Sequence, residues 1–357
     1  MNATLLLPSP IHHGAGRAEE ADETICESSS GAGSARDDKE VILQSFRKDH
    51  LRWNNIDWVC LVWMIAMHAG ALAAPFFFSW SGLGIAVLLH WLTASFGICL
   101  CYHRYLTHRS LKMTPAGEFF TMTCAVLSGQ GSPLDWTATH RLHHQLSDQP
   151  GDPHSPREGA WWSHILWLFV RHSPRQREAL FRRYVPDLVD RPIIRFFQRT
   201  EFLWQVALGT TLLVLGGWSF LLWGLCLRIV FAYHSTWFVN SATHLWGYRN
   251  YETTDDSKNL WWVALLSYGE GWHNNHHAHP NLAPAGHRWW EIDMTWWAIK
   301  AMRLAGLAYD VNDAIPEPVA VAPDAQREST AVSAAETSPS SRQAPRAPRQ
   351  AEPAMSA

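Results

Sequence analysis

Nine histidines in this chain stand at spacings that suit metal ligation. They form four groups: His103 and His108 in HRYLTH, His140, His143 and His144 in HRLHH, His244 in NSATH, and His273, His276 and His277 in HNNHH. On a helix, residues i, i+3 and i+4 share a face, so HRLHH and HNNHH can each aim three imidazoles at one place. The i, i+5 spacing of HRYLTH spreads its two rings by about 140° on a regular helix. That suits an irregular helix end, or ligands reaching around a two-metal centre. Imidazole serves Fe, Zn, Cu and Ni alike. Nine neutral nitrogens exceed what one ion takes, since a tetrahedral zinc uses four. Two ions sharing nine His, with positions left for water or O2, fit the count. Burial as satisfied core imidazoles accounts for a lone His better than for nine in tight groups. Of the other histidines, His12, His13 and His50 lie in or near a polar tail, and His68 and His90 lie in apolar segments. His164, His234, His279 and His287 are either ring-orienting neighbours of the ligands or ordinary buried polar groups.

The elements that must hold these rings are apolar. Four segments approach membrane-spanning length: about Trp58 to Trp80, Leu83 to Leu100, Phe202 to Trp218, and Phe220 to Val239. Short connectors around Ser79–Gly82 and Gly216–Ser219 make each pair a helical hairpin. Neither connector carries Lys or Arg, whereas the stretch from Arg104 to Arg199 is rich in Arg. The positive-inside rule then puts that stretch, both termini and everything after Val239 in the cytoplasm. All four histidine groups fall on that side. Arg228 lies inside the fourth segment, where a charge must face protein. Shorter apolar patches at Phe119–Leu127 and Trp161–Val170 read as interfacial or cap-packed helices. A soluble protein with buried apolar helices is the weaker alternative.

Residues 1–45 are rich in Gly, Ser, Ala and acidic residues, and 314–357 in Pro, Ala, Ser and Arg. Neither composition buries enough apolar surface to offset ordering entropy, so both are expected to be disordered tails around one domain at 46–313. No basic stretch followed by an apolar core opens the chain, so no cleaved signal peptide is expected. The six Cys make no CxxC pair and sit mostly in apolar runs, which reads as reduced, packing cysteines. A net charge of −3 gives no electrostatic case for nucleic acid.

At its histidine boxes the sequence resembles the membrane fatty-acyl desaturases, in particular the stearoyl-type delta-9 group and its bacterial acyl-lipid members. THRLHHQLSDQPGDPHSP, TWFVNSATHLWGYR and GEGWHNNHHAHP carry the likeness, which spans roughly residues 55 to 310. The resemblance implies an all-α integral membrane fold, with four transmembrane helices in two hairpins under a cytoplasmic helical cap that holds a di-iron site. It implies the nine histidines as ligands of two iron ions, with Asn240 reaching one iron through a water. Gln130, Trp136 and Thr236 match positions that line the bend of the family's acyl tunnel. It also implies an O2-dependent insertion of a cis double bond, at delta-9, into a saturated acyl chain carried on lipid or CoA.

The sequence departs from the acyl-CoA members. Ala138 and Thr139 stand where those enzymes have an Arg-Asp pair, and Arg171-His172 where they have Arg-Lys, so only Arg171 of the second pair remains as a substrate-binding candidate. Lost charge at a phosphate site shifts the expectation toward an acyl-lipid, although Arg175 or Arg177 could compensate. With no fused electron-transfer domain visible, the electron donor is expected to be a separate ferredoxin or cytochrome b5 type protein. A membrane di-iron hydroxylase of alkyl, sterol or sphingoid chains shares the boxes and is the leading rival. A metal-transport protein would carry more polar groups in its spans.

Overall fold

A computed structural model describes residues 37–316 of the chain. The tails expected at the two ends lie mostly outside these residues. The boundary drawn at 45 needs correction: 37–45 is helical, and Ile42 and Phe46 are buried in the largest apolar core. Apolar residues at i and i+4 just ahead of the first span gave the segment a side to bury, despite its polar surroundings.

The protein is mostly helical, with one short antiparallel pair, Lys112–Met113 against Ala308–Tyr309. Three helical runs are long and apolar enough to cross a membrane: Trp58–Phe77, Trp80–Thr107 and Pro192–Leu245. Outward residues such as Val59, Leu72, Val214 and Leu215 leave their side chains exposed, as lipid-facing surfaces do. The first run opens with Asp57 accepting from Cys60 N, and the second with Ser79 accepting from Gly82 N. Each side chain caps an orphan backbone donor. The first connector is therefore shorter than Ser79–Gly82: only Phe78 and Ser79 separate the helical residues.

The third run is broken at Gly217, whose φ of 60° and ψ of −153° are non-helical. Glycine adopts this backbone without the clash a Cβ would bring. The two arms lie against each other, since a Cβ on Gly224 would meet Leu212 Cδ1 at 3.1 Å and one on Gly209 would meet Leu225 Cδ2 at 3.3 Å. The two connectors also touch, with Ser79 and Ser219 hydroxyls 2.7 Å apart. Arg228 faces protein as expected: it is buried and donates to Gly224 O, Leu127 O and Thr93 Oγ1.

The apolar patch at Phe119–Leu127 belongs to helix Pro115–Val126, which packs so tightly on the second run that a Cβ on Gly97 would lie 2.7 Å from the Cys124 and Ala125 backbone. The Trp161–Val170 patch forms a short helix, Ala160–His164, and one tight turn, Leu166–Phe169. Helices Pro133–Leu146, Pro174–Tyr184, Trp261–Leu266, His273–Ala278 and Met294–Leu304 complete the structure around the histidine-bearing ends of the long runs.

Candidate metal centre

HRLHH sits on helix Pro133–Leu146, whose start is fixed by Pro133 and by Ser132 accepting from Asp135 N. HNNHH forms the short helix His273–Ala278. Its two buried asparagines explain how so short a helix is held. Asn259 Oδ1 accepts from the backbone N of Asn274 and Asn275, and Asn275 Oδ1 accepts from the side chains of Asn250 and Asn259. His244 occupies the last turn of the run that ends at Leu245.

HRYLTH behaves differently from the regular-helix expectation. Over Trp91–Thr107 the second run widens to i→i+5 pairing, and His108 N donates to His103 O at 3.1 Å. Five residues then make about one turn. Instead of spreading apart, the two rings come to 4.8 Å between centroids.

All nine histidines converge, and they do so in two groups. His103, His108, His140, His144 and His276 form one; His143, His244, His273 and His277 form the other. In each group the candidate ligand atoms lie within 4.8 Å of one another. Behind the rings stand four carboxylates that sequence reasoning missed. His143 Nδ1 is 2.9 Å from Asp152, His244 Nδ1 is 2.7 Å from Asp148, and His277 Nδ1 is 2.6 Å from Asp255. Glu270 Oε2 lies 2.7 Å from His103 Nδ1, in ion-pair contact but off the hydrogen-bonding line. A carboxylate that takes the Nδ1 proton leaves the Nε2 lone pair free for a metal.

The Nε2 atoms fit that role. Those of His108, His143 and His277 are buried without a hydrogen-bond partner among the described residues. Others face each other across short gaps: His103 to His276 at 3.0 Å, His144 to His276 at 3.0 Å, and His244 to His273 at 3.1 Å. Rings crowded nitrogen to nitrogen share either a hydrogen that one neutral ring donates to the other or a cation, and a second proton on either ring would add repulsion. Protons are disfavoured, because burial and then neighbouring histidines push His108, His140, His144, His273 and His276 well below the usual imidazole range. Burial also takes His277 down to about 4 despite Asp255. Burial would raise Asp152, but His143 beside it holds its carboxyl near about 2. Six of the nine rings are thus held neutral, whereas burial at His143 is outweighed by Asp152, which raises it. With charged carboxylates behind the centre, the set suits divalent transition metals, whose binding displaces the remaining protons.

A cavity of about 640 Å3 runs past this centre. His103, His140, His273 and Glu270 form part of its wall, and Gln130, Trp136, Thr236 and Asn240 line it too. Gln130 Nε2 donates to Thr236 Oγ1 at 2.9 Å, and the Trp136 ring lies 4.9 Å from His140. Arg171 is not brought to this wall. It is exposed beside a shallow hollow with Asn55 and Ser173, while its neighbour His172 reaches the cavity. The four other candidate ring-orienting histidines lie elsewhere, and three of them have hydrogen bonds there. His164 and His234 join His68 in a separate hydrogen-bonded string, and His287 bonds Tyr251, with His279 packed nearby.

Apolar spans, a two-part histidine centre and an apolar cavity beside it define a membrane metalloenzyme that handles a long hydrocarbon. Comparison with known proteins agrees: the chain belongs to the fatty acid desaturase family, whose model matches residues 78–312. It is 47% identical over 259 residues to the sn-1 stearoyl-lipid 9-desaturase of Anabaena variabilis, covering 72% of this chain and 94% of the relative. The sn-2 palmitoyl-lipid 9-desaturase of Nostoc sp. (strain 36) is 46% identical over 73% of this chain and 92% of its own length. The icosanoyl-CoA 5-desaturase of Limnanthes douglasii is 41% identical over 76% and 78%. The protein is therefore an oxidoreductase acting on fatty-acyl chains, and the desaturase reading prevails over the hydroxylase one.

Proposed function

We propose that the protein inserts a cis delta-9 double bond into a saturated acyl chain carried on membrane lipid, using O2 and two iron ions. The observation that carries this reading is the pair of histidine groups, five and four, on the wall of one apolar cavity. His103, His108, His140, His144 and His276 would hold one iron. His143, His244, His273 and His277 would hold the other, with Asn240 contributing through a water. Iron supplies the one-electron redox chemistry with O2 that an unactivated methylene demands, which zinc lacks. The chain's own residues do the rest. Gln130, hydrogen-bonded to Thr236, and Trp136 against His140 hold the acyl chain bent beside the centre. Holding one pair of carbons there supplies position, and the bound acyl chain displaces water from beside the centre.

The topology proposed is four spans in two hairpins, since the Pro192–Leu245 run doubles back at Gly217. The charge pattern supports an inner-membrane protein with both termini and the metal centre in the cytoplasm. Two electrons would come from a ferredoxin or cytochrome b5 type donor. A lipid carrier is favoured over CoA because Ala138 and Thr139 carry no charge and Arg177 is engaged by Asp135.

Expression in a host lacking its own desaturase tests the proposal. New double bonds at carbon nine of phospholipid or glycolipid acyl chains are expected. A hydroxy fatty acid as main product, or unsaturation confined to the acyl-CoA pool, would overturn the reaction or the carrier respectively.

A further inference from the structure

We propose that Glu201 and Gln205 form an acceptor subsite, which takes an O–H or N–H donor from the carrier to which the acyl chain is attached. The inference rests on the acyl-chain reading of the cavity. Gln205 Nε2 donates to Val126 O at 2.6 Å. A backbone carbonyl only accepts, so the orientation of the amide is fixed and its Oε1 is the group left over. Gln205 Oε1 and Glu201 Oε2 are both buried with no hydrogen-bond partner among the described residues, and both side chains line the cavity.

Gln198, Glu201 and Gln205 are spaced three and four apart on one helix, so they share a face and climb it over about 10 Å. The first of them marks the water-facing end. Gln198 Nε2 donates to Asp135 Oδ2 at 3.3 Å, and Asp135 pairs with Arg177 where their side chains are 33% and 47% exposed. Past Gln205 the same face continues with Leu208 and Leu212, and the cavity wall elsewhere includes Ala94 and Ile98. On this helix, polar groups thus follow the passage for two turns and then give way to leucines.

An acyl chain has only C–H bonds to offer these acceptors. In an open cavity water satisfies them. A ligand that displaces the water without bringing donors loses affinity, and a site built to hydrogen-bond its substrate discriminates strongly against one lacking the group. The segment of the substrate just outside the acyl chain must therefore supply the donor. The free hydroxyls of a sugar or glycerol headgroup do so, and so do the amide N–H groups of a pantetheine arm. A choline headgroup does not. Phosphate is not what is recognised here, because the Arg177 guanidinium is already taken by the Asp135 carboxylate and Glu201 adds a second acid beside them.

The test uses the full-length, iron-loaded protein in lipid nanodiscs. Binding of stearoyl chains on monogalactosyldiacylglycerol, on phosphatidylcholine and on CoA is measured by native mass spectrometry, with double-bond formation followed in parallel. Glu201→Leu and Gln205→Met are each expected to weaken binding of a donor-bearing carrier about tenfold, leaving phosphatidylcholine binding as it was. Loss on the galactolipid alone identifies a sugar hydroxyl as donor, and loss on CoA alone identifies a donor of the pantetheine arm. Glu201→Gln, which keeps an acceptor oxygen, should restore most of the binding. Ligand-free Glu201→Leu should melt no lower than wild type, since it removes a buried polar group without a partner. Equal weakening on all three carriers, no weakening on any, or a lowered melting temperature would overturn the subsite. Wild-type protein that shows this binding pattern but makes no double bond would sink the desaturase reading and leave the subsite standing.

Discussion

Four of the nine histidines, His103, His143, His244 and His277, have a carboxylate behind them, and that backing predicts how metal is lost. Because the nine proposed ligands divide into five and four, the di-iron proposal predicts that His144→Ala and His277→Ala each lower bound iron from two toward one per chain and abolish turnover. Metal analysis of purified protein checks this; two irons with retained activity would remove either residue from the ligand set. His277 leans on Asp255 at 2.6 Å, so Asp255→Asn should weaken metal affinity about 10- to 100-fold while leaving all nine rings in place. Competition with a chelator measures it. At this scale the sequence disclosed the histidines that converge but not the carboxylates beside them. Spacing within a box is local, so HRLHH and HNNHH could be read directly. Asp255 and Glu270 reach their histidines only through the fold, from 22 residues away in the case of His277 and 166 or more for the rings and guanidinium of the second run. The i→i+5 turn beneath His103 and His108 was hidden for another reason: nothing in residue type distinguishes it from a regular helix.

Among the elements, apolar length marked the segments long enough to span, but the helices run past them for a physical reason. A hydropathy window stops where polar side chains begin. Here those side chains are buried against protein, and the helices run on through them, to Thr107 in one case and Leu245 in the other. That continuity joins the lipid-facing part of each run rigidly to its ligands. It also makes close helix packing critical. Gly97 sits where a Cβ would approach the Ala125 N atom at 2.7 Å, so Gly97→Ala must push helix Pro115–Val126 away. Overpacking of this kind costs roughly 1–3 kcal/mol, and a lower melting temperature with less iron retained is the expected result. Trp136 has a different role. Its ring lines the cavity 4.9 Å from His140, so Trp136→Ala should enlarge the bend and shift double-bond position or preferred chain length while turnover continues. Gas chromatography of the products reads the shift, and an unchanged product spectrum would remove Trp136 from the bend.

The whole molecule buries more imidazole than its metal ligands require, and this sets its response to acid. Outside the spans, burial takes His172 and His287 down to about 4 and His154 to about 3. In the unfolded chain the same groups titrate near the ordinary value of about 6.5. As pH falls below that value the unfolded state takes up protons that the folded state refuses, so stability falls across the window from about 6.5 to 4. The carboxylates act lower. Asp152 and Glu270 are held near about 2 by His143 and by Arg104 respectively, against burial. Their contribution is intact above the usual carboxylate range of about 4 and fades only below it. Metal-free protein in detergent should therefore lose melting temperature first between pH 6.5 and 4, and again below 4. Bound metal opposes the first loss, because a ligand that binds only the folded state stabilises it, until protons displace it from the imidazoles. Thermal melts of metal-free and iron-loaded protein across this range check both statements. A flat profile between pH 8 and 4 without metal would mean that these histidines are solvated in the working protein.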